Sequence, residues 1–232
     1  MPLRQWIKSA NYAIEGILHA AKTQRHMRYH LYAAVTVLLT GFILGISWSD
    51  FVILITLSII VISVEMINTA LETITDILFK DYDPKAKAIK DIAAGAVLIS
   101  ALGAALIGYV ILSKPIEKFF DSGLIIAKHS KGDIAVVALV VVLIMVVITK
   151  TFFERGKPLK GGMPSGHSAV AFSMWMTVTM ITESFVASLL ALAMAVLIAQ
   201  SRVYVGIHKP LEVVMGGILG SSITFLLFKI FS

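Results

Sequence analysis

The feature that most constrains this chain is a succession of apolar stretches, each close to the length of a helix that crosses a bilayer. A spanning helix needs about 20 mostly apolar residues, and its backbone hydrogen bonds are all satisfied internally. The stretches lie at residues 31–47, 51–78, 91–113, 134–149, 166–182, 185–201 and 210–230. With 58% hydrophobic and 15% charged residues, a soluble globule is excluded. We predict an all-α integral membrane protein with about seven transmembrane helices.

Two further segments define the domains. Residues 2–28 have apolar side chains at helical spacing with basic residues between them, which predicts a helix lying in the membrane interface. Residues 114–133 contain Pro115 and several charges, and their apolar stretches are too short to cross, so we predict a linker there. The chain would then have a first domain at 1–113, with three spans, and a second at 134–232, with a four-helix core.

The net charge of +6 reflects the membrane rather than a nucleic-acid partner. If the first 30 residues are cytoplasmic, most lysines and arginines fall on the cytoplasmic side, in segments 1–30, 79–91, 150–163 and 202–209. We therefore expect a multi-pass protein of the plasma membrane whose candidate sites both face the cytoplasm. The absence of cysteine excludes disulfides, thiolate metal sites and cysteine nucleophiles.

Polar side chains follow one face of the second span. Glu65, Asn68, Glu72 and Asp76 are three or four residues apart. Ionisable groups inside a span are costly and usually functional, although they can also hold helices together. Two carboxylates on one face could bind Mg²⁺, or one could take a proton from a lipid hydroxyl. The next loop adds Lys87, Lys90 and Asp91. Lys90 is suited to phosphate charge, whereas Lys87 could equally belong to a solvated charged loop.

These residues resemble the prokaryotic diacylglycerol kinase/undecaprenol kinase family. The likeness covers roughly residues 4–113 and is carried by Glu65-Met-Ile-Asn68-Thr-Ala-Leu-Glu72-Thr-Ile-Thr-Asp76 and Ala86-Lys-Ala-Ile-Lys90-Asp91-Ile-Ala-Ala-Gly95-Ala96. It implies a bacterial inner-membrane enzyme that uses ATP and Mg²⁺ and forms a trimer. By the same resemblance Glu65 is the general base, Glu72 binds magnesium, and the nucleotide lies among Asn68, Lys90 and Asp91.

One position departs from this family. Where the family usually has a metal-binding glutamate, this chain has Gln24, followed by Arg25-His26-Met27-Arg28. An amide binds Mg²⁺ more weakly than a carboxylate and brings no charge. The departure indicates a slow, altered or inactive kinase half.

In the second half, three segments carry residues suited to phosphate chemistry. They are Lys150 with Lys157-Pro158, then Pro164-Ser165-Gly166-His167, then Ser201-Arg202 with His208 and Glu212. Each lies at a predicted helix end on the same side of the membrane, so together they could surround one headgroup.

The residue types match the reaction. Cations neutralise a phosphate in the transition state, and a helix start with glycine offers backbone N–H groups. One histidine can attack phosphorus while the other protonates the leaving oxygen. A carboxylate one turn away, Glu212, could fix the tautomer of His208. Each of these residues alone would be an ordinary turn or interfacial residue, but their combined order and spacing are not expected by chance.

The three segments, over about residues 134–230, resemble the type 2 phosphatidic acid phosphatase family. This implies a metal-independent lipid phosphatase in which His208 becomes phosphorylated, His167 is the general acid and Glu212 orients His208. The resemblance assigns phosphate binding to Lys150, Lys157, Ser165, Gly166 and Arg202. Lys157 replaces the usual arginine, and Glu212 replaces the usual aspartate. Pro158 and Pro164 are unusually close, and we expect the short loop between them to restrict headgroup size.

Three functions follow. The first is hydrolysis of a polyprenyl or glycerolipid phosphate, with undecaprenyl diphosphate favoured because both halves would then yield undecaprenyl phosphate; phosphatidylglycerol phosphate and phosphatidic acid stay open. The second is an ATP-dependent lipid kinase as the main activity, against which Gln24 counts. The third is a transporter or scaffold, which leaves the spacing of His167, Arg202 and His208 unexplained.

Overall fold

The computed structural model describes residues 2–122, 126–153 and 162–232. In these ranges the structure is helical and contains no strand. The helices are α1 (Pro2–Thr23), α2 (Arg25–Leu44), α3 (Trp48–Leu78), α4 (Pro84–Ser122), α5 (Lys131–Phe152), α6 (Gly166–Thr182), α7 (Phe185–Tyr204) and α8 (Pro210–Phe231). The all-α prediction is confirmed.

Six of the described helices are long and apolar enough to cross a membrane, namely α2, α3, α4, α5, α7 and α8. The remaining predicted span, α6, has 17 residues and is therefore about 26 Å long. This is slightly less than the hydrocarbon thickness of about 30 Å. The interfacial position of α1 and the count of seven spans remain predictions.

Helix α4 is longer than its predicted span of 91–113. It begins at Pro84, where proline suits the first helical turn, and continues past Pro115 to Ser122. Its 39 residues give a length of about 58 Å. The first part of the predicted linker is thus helical, and the charged loop after α3 is shorter than expected.

The contacts divide the chain into two compact units, one of residues 22–127 and one of residues 1–21 together with 128–232. In the unit 22–127, helices α2, α3 and α4 pack against one another. Gly45 ends α2 in the left-handed conformation with φ of 68°, and a Cβ there would lie 2.5 Å from the Cβ of Ala127. The Ser47 hydroxyl then accepts from the Asp50 N–H and starts α3.

In the other unit, α6 packs against α5, α7 and α8, and α5 also contacts α8. The glycines of α8 explain how α6 comes so close. A Cβ at Gly216 would lie 2.3 Å from the carbonyl oxygen of Ser165, and one at Gly220 would lie 1.9 Å from that of Ala169. Because no side chain larger than hydrogen fits, the two helices meet backbone to backbone. A buried hydrogen bond of 2.7 Å between Ser173 and Thr224 joins them deeper in the bundle.

Candidate functional site

Helix ends of the unit that contains α5 to α8 carry most of the predicted phosphatase residues. Lys150 lies in the last turn of α5 and Arg202 in the last turn of α7. Ser165 is the N-cap of α6, and Gly166 and His167 begin that helix. His208 lies in the short turn before α8.

The structure brings the histidines and cations of these segments together. His167 interacts electrostatically with Arg202, His208 and Lys150. His208 in turn interacts with Lys150 and Arg202. Both Lys150 and His208 are buried, whereas His167 is exposed. Two imidazoles and two cations therefore share one site, with one imidazole accessible from outside.

His208 is held by a carboxylate. Its Nδ1 lies 2.8 Å from Oε2 of Glu212, one helical turn further on. The same carboxylate accepts the backbone N–H of Lys209 at 3.2 Å and caps α8, and it is also hydrogen-bonded by the backbone of Gly162. Because a carboxylate only accepts hydrogen bonds, Nδ1 of His208 carries the proton and donates a hydrogen bond to Glu212. The lone pair of the imidazole is then on Nε2.

The surroundings of His208 favour its neutral form. Burial lowers the pKa of His208 below the ordinary value for histidine, and the charges of Lys150 and Arg202 lower it further. The hydrogen bond that His208 donates to Glu212 raises the pKa of His208 without reversing the shift. A neutral imidazole with Nε2 available is the form that can attack phosphorus.

Arg202 has an unsatisfied group that an anion could bind. Its Nε is buried and has no hydrogen-bond partner among the described residues. The backbone of Arg202 is tied to the turn that contains His208, since the Arg202 carbonyl oxygen accepts the N–H of His208 at 3.2 Å. A buried donor without a partner is costly, so the guanidinium is suited to binding an oxyanion.

The structure changes the expected role of the Ser165 backbone. The Ser165 N–H donates to the carbonyl oxygen of Glu212 at 2.8 Å, so it is not available to a phosphate. The Ser165 hydroxyl accepts from Ser168 at 3.1 Å, and both residues are fully buried. The backbone N–H groups of Gly166 and His167, in the first turn of α6, are still placed for anion binding.

Sequence reasoning missed Ser168, Gly216 and Gly220, which fix the start of α6 without contributing charge. The interval of four residues between Gly216 and Gly220 is the signal that could have revealed these two glycines, because small residues at this interval mark close helix packing. One predicted phosphate ligand, Lys157, lies outside the described residues. Its role stays a prediction.

In the unit 22–127, three polar residues meet near the middle of the predicted kinase motif. Oε1 of Glu72 accepts the amide of Asn68 at 3.1 Å, and Oε2 of Glu72 accepts the amide of Gln24 at 3.3 Å. Glu65, which is 2% exposed, interacts electrostatically with Glu72. Gln24 is therefore part of the cluster that the sequence placed around Glu65.

The two remaining kinase candidates form separate ion pairs. Lys90 pairs with Asp76, and Asp91 pairs with Lys87 one turn earlier on α4. Lys87, Asp76 and Asp91 are exposed, while Lys90 is half-buried. Lys90 is thus linked to α3, where the polar face lies, and Asp91 is neutralised by its own helix.

The residues present fit the magnesium of the resembled family only in part. In the described ranges, no group of three or more Asp, Glu or His side chains is arranged to hold a metal ion. Magnesium requires near-octahedral oxygen ligands, usually including carboxylates. Here both oxygens of Glu72 accept amide N–H groups instead.

Comparison with known proteins gives two family matches. The model for prokaryotic diacylglycerol kinase matches residues 11–112, and that for the PAP2 superfamily matches residues 146–232. No solved structure matches the chain.

Three curated proteins each resemble a part of the chain, two of them kinases and one a diphosphatase. "Undecaprenol kinase" of Bacillus subtilis (strain 168) is 38% identical over 109 residues, which are 47% of this chain and 89% of that protein. "Diacylglycerol kinase" of Synechocystis sp. is 36% identical over 109 residues, 47% of this chain and 62% of that protein. "Undecaprenyl-diphosphatase" of Sulfolobus acidocaldarius is 37% identical over 79 residues, 34% of this chain and 38% of that protein.

The matches confirm the order of domains inferred from the motifs, a lipid kinase domain and then a lipid phosphatase domain. They also agree with a multi-pass membrane protein. The chain belongs to the prokaryotic diacylglycerol kinase family, and a domain of the PAP2 superfamily follows the kinase domain in the same polypeptide.

Proposed function

We propose that the second domain hydrolyses a polyprenyl diphosphate through a covalent phosphohistidine on His208, with undecaprenyl diphosphate as the favoured substrate. The observation that carries the proposal is the 2.8 Å hydrogen bond between His208 and Glu212, beside Lys150, Arg202 and a second imidazole. This arrangement offers an oriented nucleophile, positive charge and an acid within one site.

In the first step, Nε2 of His208 attacks the terminal phosphorus, and the bond from phosphorus to the bridging oxygen breaks. His167 gives a proton to that oxygen, and the lipid monophosphate leaves. In the second step, a water molecule gives up a proton to His167 and attacks phosphorus. The P–N bond breaks, inorganic phosphate is released, and neutral His208 is regenerated.

The cations act mainly on the transition state. Charge develops on the equatorial oxygens of the phosphoryl group during both steps, and fixed donors aimed at them lower the barrier. Arg202 and Lys150 supply that charge from within the described site. Lys157, by its place in the motif, would supply more. No metal ion takes part in this reaction scheme.

The choice of a prenyl lipid rests on the two halves together. One half is similar to an "Undecaprenol kinase" and the other to an "Undecaprenyl-diphosphatase". Phosphorylation of the alcohol and hydrolysis of the diphosphate yield the same product, undecaprenyl phosphate. A single chain carrying both activities would supply one lipid carrier by two routes.

We further propose that each site faces the cytoplasm and that the protein forms a trimer. The concentration of basic residues in the segments next to the sites supports the orientation. The trimer is supported only by resemblance to the kinase family. A cytoplasmic site would give access to lipids made on that leaflet.

The test is phosphate release by the purified chain from undecaprenyl diphosphate, phosphatidylglycerol phosphate and phosphatidic acid, each with and without EDTA. We expect release from the prenyl diphosphate to be fastest, to survive EDTA and to disappear in His208→Ala. Faster release from either glycerolipid would overturn the substrate assignment. The mechanism would be overturned if phosphate release needed a divalent metal, or if the chain released phosphate from none of the three lipids.

A second candidate function is an ATP-dependent lipid kinase in the first domain, favoured by membership of that family and by the presence of Glu65, Asn68 and Lys90. Glu65 would take the proton from the lipid hydroxyl, and Lys90 would bind phosphate charge. Transfer of labelled phosphate from ATP to undecaprenol that is lost in Glu65→Gln is the expected result. Transfer that persists in this variant would contradict the role of Glu65.

A further inference from the structure

Gln24 is an N-cap residue whose side chain does not cap its own helix. It is the N-cap residue of α2, where a polar side chain commonly accepts an N–H from the first turn. Its side chain makes no such bond, and its amide instead points to Glu72, 48 residues further along the chain. The contact joins the start of α2 to the polar face of α3.

The amide of Gln24 reduces a charge problem on α3. Glu65 and Glu72 repel each other, and Glu65 is almost completely buried. Carboxylates in such surroundings need hydrogen-bond donors or a cation. Glu72 receives two amide donors, one from Gln24 and one from Asn68, so its charge is partly offset without a metal ion.

The orientation of the Gln24 amide follows from chemistry. With Nε2 towards Glu72 the contact is a hydrogen bond, whereas with the amide reversed two oxygens would face each other at the same distance. A donor aimed at Oε2 competes with any cation for that oxygen. Asn68 leaves its own Oδ1 buried and without a partner among the described residues, so an oxygen ligand is present beside Glu72.

We propose that Gln24 takes the place of a cation at Glu72 and thereby keeps the kinase domain at low affinity for divalent metals. Removing the amide exposes Oε2 of Glu72 next to Oδ1 of Asn68, and a carboxylate at position 24 would add a third oxygen ligand. The affinity for a divalent cation should therefore rise when Gln24 is replaced by leucine, and rise more when it is replaced by glutamate.

The inference is tested by binding of Mn²⁺ alone, measured from the free Mn²⁺ signal in electron paramagnetic resonance, with the full chain in detergent. Wild type is compared with Gln24→Leu, which has similar size and no donor, and with Gln24→Glu. Binding that persists in Glu72→Gln is subtracted as background. Unfolding temperatures measured in EDTA show whether each variant is folded. If Gln24→Leu is not folded, Gln24→Ala replaces it as the variant without a donor.

We expect Gln24→Leu to bind Mn²⁺ about tenfold more tightly than wild type, since a hydrogen bond to a charged group is lost from the metal-free state. Gln24→Glu should bind more tightly still, and Mg²⁺ should raise its unfolding temperature by stabilising the folded form. Weaker binding in Gln24→Leu than in wild type would show that the Gln24 carbonyl is itself a ligand and would overturn the proposal. Equal binding, or none above background in any variant, would overturn it as well.

Discussion

The backbone N–H of Ser165 donates a 2.8 Å hydrogen bond to the carbonyl oxygen of Glu212 and so ties the start of α6 to the first turn of α8. The side chain of Glu212 holds His208, and His167 follows Ser165 by two residues. The distance between the two imidazoles is therefore set by how closely α6 and α8 approach.

This dependence predicts the effect of enlarging the α8 glycines. Gly220→Ala places a methyl group where the carbonyl oxygen of Ala169 lies, so we expect a lower unfolding temperature and a strong loss of phosphate release. Gly103→Ala is the matched control, because a Cβ there meets nothing within 4 Å and alanine favours a helix. Equal unfolding temperatures for the two variants would contradict the close packing of α6 on α8.

The shifted pKa of His208 predicts the acid side of the pH profile. A lowered pKa keeps the imidazole neutral to lower pH, so the acid limb of kcat/KM should fall below about 6.5, the ordinary value for histidine. Glu212→Gln removes the group that opposes this shift, so the limb should move to still lower pH while kcat falls about 10²- to 10⁴-fold.

The control for this profile is Glu183→Gln, at an exposed carboxylate that pairs with Lys131. Glu183→Gln should leave the acid limb of kcat/KM and the value of kcat unchanged. A limb that moves to higher pH in Glu212→Gln would show that the carboxylate does not act on His208 in the proposed way.

Arg202 is expected to bind substrate through its fork of donors. Arg202→Lys keeps the charge and loses the buried Nε donor, so KM should rise about tenfold with a smaller change in kcat. Arg25→Lys, at an exposed arginine that starts α2, should change neither constant. An unchanged KM in Arg202→Lys would mean that the guanidinium geometry is not used.

Membrane orientation can be measured directly because the chain has no cysteine. Tyr204→Cys lies at an exposed position just before the turn that carries His208. It should react with a membrane-impermeant maleimide only after the cells have been broken open. Ser184→Cys, in the turn between α6 and α7, should react in intact cells. The reverse pattern would place the phosphatase site on the outer face.

Much of the fold was predictable because the length of an apolar stretch and the residues that begin or end a helix are local properties of the sequence. Apart from α4 and the start of α2, the helices begin and end within about three residues of the predicted spans. The described phosphatase candidates do lie at or next to helix ends. The continuation of α4 through Pro115 was not predictable from residue types alone, since proline usually interrupts a helix.

The finer arrangement of each site depends on contacts between distant residues. The pairing of His208 with Glu212 follows from helical spacing, so sequence reasoning found it. The engagement of the Ser165 N–H by Glu212 and of the Gln24 amide by Glu72 needs the packing of helices, which no local pattern records.

The central claim is that phosphate passes through His208, and rapid quenching tests it most directly. The purified chain is mixed with undecaprenyl diphosphate labelled in its terminal phosphate and quenched in base, in which phosphohistidine is stable. The account predicts label on the protein within one turnover, lost on mild acid treatment and absent in His208→Asn. Phosphate release by wild type without protein-bound label, or label that persists in His208→Asn, would contradict it.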